Sequence, residues 1–120
     1  MKNMYRQRII ELYRNPKNSG KLEKGIKQKG ENPHCGDITE LYIDTREGKI
    51  KDIRHTTNGC AISTAAVSLL SKQIKGMEIE KAMELDRDWM LNLLEVEISP
   101  MRMKCALLGL KTLKKALKDT

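Results

Sequence analysis

The chain has 120 residues, a net charge of +7, 39% hydrophobic residues, no Phe and one Trp. This length is typical of one domain, and the composition predicts an aliphatic core, so we expect a single domain over residues 1–120. No apolar run approaches the roughly 20 residues that cross a bilayer, and no apolar signal segment follows the charged N-terminus. These features exclude a membrane-spanning class and predict a cytoplasmic protein whose thiols stay reduced.

The first part of the chain predicts one helix and then a loop. Apolar residues recur at helical spacing over residues 3–14, namely Tyr5, Ile9, Leu12 and Tyr13. Pro16 ends that pattern. Residues 17–30 contain three glycines and many lysines, so they are interpreted as a mobile basic loop.

The middle of the chain predicts a β-hairpin. Two segments have strand character, one around Leu41 and Ile43 and one around Ile50 and Ile53, and a loop over 44–48 joins them. Gly59 ends the second strand.

Helical periodicity then dominates the rest of the chain. Helices are predicted over 60–74, 79–85 and 86–94, with Gly76 after the first and Asp86 as the cap of the third. Pro100 marks the start of a last helix, whose apolar stripe is opposite a row of lysines. The fold class is therefore α+β: a small antiparallel β-sheet covered by helices.

Three cysteines in different settings are the candidates for chemistry. Cys35, Cys60 and Cys105 are far apart in sequence and form no CxxC pair, and their odd number argues against a closed disulfide framework. Three thiols and the Asp37 carboxylate could converge into a four-coordinate site for zinc or a platform for iron and sulfide.

Each position suits a ligand. In an extended strand Cys35 and Asp37 would point to the same face, and Gly36 between them would let a ligand approach the backbone. Cys60 is expected at a helix N-terminus, where the partial positive charge favours a thiolate.

Cys105 follows Lys104 at the start of the last helix. The ammonium of Lys104 should lower the thiol pKa, and the helix could present the sulfur outward. Against these interpretations, a lone Cys is more often a small buried hydrophobe. His34 is expected to face solvent or to support a ligand, and His55 to be structural.

Charge is unevenly distributed along the chain. Residues 1–30 carry nine basic and two acidic groups, residues 31–98 carry eight and thirteen, and residues 99–120 carry six and one. Basic ends could bind nucleic acid, but stacking aromatics are almost absent and no nucleic-acid motif appears. A protein partner with an acidic surface fits better.

Four segments resemble the iron–sulfur cluster scaffold family of IscU, the N-terminal domain of NifU, and SufU. They are Tyr5–Gly20, Asn32–Asp37 (NPHCGD), Gly59–Ser63 (GCAIS) and Arg102–Leu117. The motifs are closer to SufU and the length is closer to IscU, because the insertion that SufU carries between its second and third cysteines has no room here. IscU proteins have a chaperone-docking LPPVK motif before the third cysteine; residues 98–105 depart from it, so the resemblance does not imply a dedicated chaperone.

The resemblance implies a scaffold, not an enzyme. A cysteine desulfurase would pass persulfide sulfur to Cys105, or to Cys60 as second choice. A [2Fe–2S] cluster would form on Cys35, Asp37, Cys60 and Cys105 and pass to apo iron–sulfur proteins. A zinc-bound sulfur acceptor of SufU type, with Zn²⁺ on the same four residues, is the alternative, and a purely structural zinc domain is the third possibility.

Overall fold

The computed structural model describes residues 2–118, with side chains from Arg6 onward, so the side chain of Tyr5 lies outside the described part. The elements in chain order are α1 (Lys2–Arg14), β1 (Ile26–Asn32), β2 (Asp37–Arg46), β3 (Lys49–Asn58), α2 (Ala61–Ile74), α3 (Ile79–Glu84), α4 (Arg87–Leu94), a 3₁₀ turn (Pro100–Arg102) and α5 (Met103–Leu117). The predicted α+β class is confirmed.

The sheet is antiparallel, with strand order β1-β2-β3. Ile43 lies opposite Ile26 on one side and Ile53 on the other, so the apolar residues of the three strands align on one face. The predicted hairpin is confirmed, but its loop is shorter than 44–48. Only Glu47 and Gly48 form the turn, both with positive φ (53° and 76°), which matches the twist of the flanking strands.

β1 corrects the sequence analysis, which placed residues 17–30 in a loop. Residues 26–30 instead begin an edge strand paired with β2. The sequence of β1 is polar because every second side chain is exposed, and lysine is common on edge strands. Gly30 makes this packing possible, because a Cβ at this position would collide with the Thr112 side chain of α5.

α2 and α5 pack against each other and against the sheet. Fully buried aliphatic side chains fill this interface: Leu41, Ile43, Ile50, Ile53, Val67, Leu70, Ile74 and Leu113. Burying one such side chain stabilises the fold by about 1.5–3 kcal/mol. Gly109 lets the helices approach closely, since a Cβ there would lie 2.8 Å from Val67.

The helix boundaries follow their local signals. Gly76 takes a positive φ of 88° directly after the residue that caps α2, and Asp86 accepts a hydrogen bond from the Trp89 backbone N–H (2.9 Å) at the start of α4. Both predictions are confirmed. Pro100 begins the 3₁₀ turn that leads into α5. Among the described residues, no helix is long and apolar enough to cross a membrane.

His55 is structural, as predicted. It is 1% exposed, and its ring nitrogens contact the Thr57 hydroxyl and the Lys17 carbonyl oxygen, each at 2.9 Å. Its backbone also bonds with Asn18 and Gly20. His55 thus fastens the segment after α1 to the free edge of β3.

Candidate metal centre

The ends of several elements meet at one corner of the sheet. The turn between β1 and β2 carries Cys35, β2 begins with Asp37, Cys60 precedes α2, and Cys105 lies in the first turn of α5. The sulfurs of Cys35 and Cys105 and a carboxylate oxygen of Asp37 all lie within 4.8 Å of one another. Residues distant in sequence therefore converge as expected.

Cys35 reaches this site by a different route from the one predicted. It lies in a tight turn, in which the backbone N–H groups of Cys35 and Gly36 both donate to the Asn32 carbonyl oxygen (3.3 and 2.8 Å). Gly36 has a positive φ of 74°. The same-face argument for an extended chain is therefore wrong here, and the turn itself directs the exposed Cys35 thiol toward the carboxylate.

Asp37 is the buried carboxylate of the site, 2% exposed. Its Oδ1 accepts a hydrogen bond from the Cys60 backbone N–H at 3.1 Å. Its Oδ2 is buried and has no hydrogen-bond partner among the described residues. A buried, unpartnered carboxylate oxygen beside thiols is energetically costly unless a cation binds it, so the donor set fits a metal ion.

Cys60 lies at the N-terminus of α2, as predicted, but outside the group of three ligand atoms within 4.8 Å. Its half-buried thiol donates to the Ser63 hydroxyl oxygen at 3.7 Å, and that hydroxyl donates to the Cys60 carbonyl oxygen at 3.0 Å. Burial acts to raise the pKa of this thiol, but hydrogen bonds from the Ser63 backbone and side chain outweigh it and leave the pKa below its ordinary value.

Cys105 corrects the sequence analysis in two respects. The sulfur is fully buried rather than presented outward, because the first turn of α5 faces the sheet. Burial raises the pKa of the Cys105 thiol well above its ordinary value, and the neighbouring Asp37 carboxylate and the two other thiols raise it further. Lys104 is exposed and does not offset these effects.

Two residues near the sulfurs escaped the sequence analysis. The buried Asn32 side chain donates from Nδ2 to the Cys105 sulfur at 3.7 Å. Arg102 ends the exposed 3₁₀ turn before α5, and the pKa of its guanidinium is raised first by a Cys60 thiolate and second by Cys105. Asn32 stands in the NPHCGD motif, which marks it as a residue near the site. The sequence alone does not predict that its side chain contacts Cys105, 73 residues away.

His34 is exposed, as expected, and is not one of the clustered ligands. The donors that do meet are soft thiols and one hard carboxylate. Such a set suits zinc in a tetrahedral site, or iron bridged by sulfide.

The fold and the site together define a small α+β domain with a candidate metal site made of thiols and a carboxylate. A family profile described as "NifU-like N terminal domain" matches residues 4–120, and the chain belongs to this family.

Named relatives agree with this assignment. The chain is 34% identical over 118 residues to "Iron-sulfur cluster assembly scaffold protein IscU 1" of Archaeoglobus fulgidus, covering 97% of this chain and 76% of the relative. It is 32% identical over 131 residues to "Zinc-dependent sulfurtransferase SufU" of Bacillus subtilis, covering 95% of this chain and 89% of the relative.

A solved structure agrees as well. A putative iron–sulfur cluster assembly scaffold protein for the SUF system from Fervidobacterium islandicum superimposes with a TM-score of 0.77 at 32% identity, covering 92% of this chain and 94% of that one. The recognition of the family from its motifs is therefore confirmed.

Proposed function

We propose that this protein is an iron–sulfur cluster assembly scaffold. It accepts sulfur from a cysteine desulfurase, holds a [2Fe–2S] cluster as cargo on Cys35, Asp37, Cys60 and Cys105, and passes it to apo-proteins. The observation that carries the proposal is the buried Asp37 carboxylate, which has one oxygen without a partner among the described residues and lies within 4.8 Å of two thiols. The scaffold relatives support the same activity.

Sulfur acceptance is a thiol exchange. A thiolate of this chain attacks the outer sulfur of the desulfurase persulfide, forms a new S–S bond, and releases the desulfurase cysteine as a thiolate. The acquired sulfur becomes sulfide only after it receives two electrons from an external thiol or electron-transfer protein. The chain's contribution is the placement of the thiols, so it acts as a scaffold rather than as an enzyme.

Cys105 is the proposed first acceptor, and Cys60 is the second choice. Because the Cys105 sulfur is buried and its thiol pKa is raised, acceptance there requires the exposed turn before α5 to move away from the site. Cys60 is half-buried with a lowered pKa, so it is the competing acceptor while the site stays closed. Mass spectrometry of the persulfidated protein distinguishes the two.

Asp37 is proposed as the exchangeable ligand. A carboxylate binds iron less tightly than a thiolate, so a cluster held by three sulfurs and one oxygen is easier to release. Cluster transfer therefore begins at the β2 end of the site.

A zinc-bound sulfur acceptor of SufU type is the second candidate. It is favoured by the 32% identity to the zinc-dependent sulfurtransferase of Bacillus subtilis. Here the same four residues would hold Zn²⁺, and the desulfurase would displace one ligand before sulfur transfer.

Anaerobic purification followed by metal and sulfide analysis tests these proposals. Iron with acid-labile sulfide supports the scaffold, and one zinc without sulfide supports the zinc-bound acceptor. Replacing any one of the three cysteines by Ser should abolish stable metal binding, because a neutral hydroxyl is a poor substitute for a thiolate. Full occupancy in a Ser variant would remove that cysteine from the site, and a zinc protein that never carries a persulfide would be a structural zinc domain.

A further inference from the structure

A groove runs along the β1 edge of the sheet, between β1 and α5. One depression of about 360 Å³ has Gly30, Leu108 and Thr112 at its base and Lys29, Lys111 and Lys115 at its rim. Leu108 and Thr112 are buried, whereas the rim lysines are exposed. The groove therefore has a buried floor and a basic border.

The groove continues toward the metal centre. A second depression of about 370 Å³ shares Glu31, Leu108 and Lys111 with the first. It extends to Asn32 and Lys104, which flank Cys105. Because the Asn32 amide contacts the Cys105 sulfur, a chain in this groove would end beside the sulfur site.

β1 supplies a backbone edge along this groove. It pairs with β2 on one side, and no described strand pairs with its other side. Alternate backbone N–H and C=O groups of an edge strand point outward and can pair with an extended segment of another chain.

The charge of the residues that line the groove indicates what kind of segment would bind there. Among the described residues that line the two depressions, Glu31 is the only acid, and it is paired with Lys29 at 3.0 Å. A second copy of this chain is a poor occupant, because the β1 edge that it would offer carries two lysines, Lys27 and Lys29, against one acid, Glu31, and so is not acidic.

We propose that the groove between β1 and α5 binds an extended, acidic segment of a partner protein by strand addition to β1. The proposal rests on the proposed function, because it identifies the groove as the route by which a sulfur or cluster partner reaches Cys105. Backbone pairing would provide affinity. Contacts between carboxylates and lysines would select a negatively charged segment and set its register on β1.

The test uses the isotope-labelled full chain and an acetylated, amidated peptide of about eight alternating valines and glutamates, a strand-length probe. We expect saturable amide shifts at Gly30 and its β1 neighbours with peptide up to about 1 mM. A peptide with lysine in place of glutamate should cause none, and methylation of alternate backbone nitrogens should abolish binding.

Charge variants make the test specific. Lys111→Glu with Lys115→Glu should raise the peptide Kd by about tenfold or more, since each reversal replaces an attraction by a repulsion. Lys72→Glu with Lys81→Glu, which makes the same charge change outside the groove, should alter the Kd by less than about twofold.

Several results would overturn the proposal: shifts on another surface, equal binding of the two peptides, equal effects of the two charge variants, or a single-stranded RNA that binds the same amides more tightly. Dimerisation through β1 would overturn it in favour of a second copy. Metal and sulfide analysis is independent of the peptide. Groove binding without metal or sulfur chemistry would leave the groove in place and refute the scaffold function, and the converse result would refute only the groove.

Discussion

The backbone N–H of Cys60 donates to Oδ1 of Asp37 over 3.1 Å, and this bond joins the start of β2 to the N-terminus of α2. One carboxylate oxygen is therefore occupied by the fold, while the other is buried and has no partner in the described structure. If Oδ2 binds a metal as proposed, that metal can leave while Asp37 keeps its position, because Oδ1 remains anchored.

Replacing Asp37 by Ala tests its role as the exchangeable ligand. We expect a bound cluster to live longer and to transfer more slowly to an apo-ferredoxin, because the weakly bound carboxylate at which ligand exchange is proposed to begin is removed. The measurements are the decay of the cluster absorption and the rate of transfer. Asp37→Asn, which can still accept the Cys60 hydrogen bond, separates loss of the anchor from loss of the charge. Faster loss of the cluster in Asp37→Ala would make Asp37 a holding ligand.

Gly59 keeps space for this carboxylate. A Cβ at residue 59 would lie 2.5 Å from both Asp37 Oδ1 and Ser63 Oγ, so Gly59→Ala should displace the carboxylate. We expect metal affinity to fall by about tenfold, as is typical when the support of a ligand is disturbed, while circular dichroism stays unchanged. Asn58→Ala changes the exposed neighbour and serves as control. Unchanged affinity in Gly59→Ala would mean that Asp37 does not need this position.

Much of the fold could be predicted from local signals. The hairpin, Gly76 and the Asp86 cap each depend on residues close in sequence, and the structure contains all three. β1 could not be predicted in this way. Exposed and less exposed side chains alternate along β1, but polar and apolar residues do not, so the sequence shows no strand pattern. The need for glycine at position 30 comes from its close approach to Thr112, which lies far along the chain.

The sequence predicted candidate ligands but not the electrostatics around them. Sequence identified the candidate ligands through their motifs, and the structure brings Cys35, Asp37 and Cys105 together. The burial of Cys105 depends on which face of α5 meets the sheet. The position of Cys60 at a helix end depends on residues close in sequence and could be predicted. The burial that raises the pKa of Cys105 depends on contacts with distant parts of the chain and could not.

Asn32 should hold the Cys105 sulfur in place. Its amide donates to Sγ, and such a bond stabilises the thiolate form that binds metal. Asn32→Ala is expected to reduce zinc affinity by about tenfold, measured by chelator competition. Gln28→Ala, on the same strand, should leave the affinity unchanged. Equal losses in the two variants would indicate a general effect on β1 instead.

His55 should make stability depend on pH. Burial lowers its pKa, and the bond to the Lys17 carbonyl oxygen only partly opposes this, so the folded state keeps His55 neutral while the unfolded state protonates near the ordinary value of 6.5. The free energy of unfolding should therefore fall as the pH drops below that value, by at most about 1.4 kcal/mol per pH unit for one proton. The decline should level off once the folded state also protonates.

Urea unfolding of the metal-free protein between pH 5 and pH 7.5, roughly the range in which histidine titrates, measures this effect. His55→Gln should lose the pH-dependent part even if the variant is less stable throughout. His34→Gln, which changes an exposed imidazole, should retain it. A pH dependence that persists in His55→Gln would assign it to another group.

The basic ends of the chain should speed the encounter with an acidic desulfurase surface. Residues 1–30 and 99–120 carry the excess of positive charge, and exposed charges interact over about 10 Å at 0.1 M salt but only about 3 Å at 1 M. The association rate should therefore fall with added salt, while zinc affinity changes little. Arg6→Glu with Lys118→Glu should slow association and preserve the fold, because both side chains are exposed. Arg8 is a less suitable choice, since it pairs with Glu95 at 3.6 Å and its reversal would also create a repulsion within the protein. A rate that is flat with salt and unchanged in the double variant would show that these charges do not guide docking.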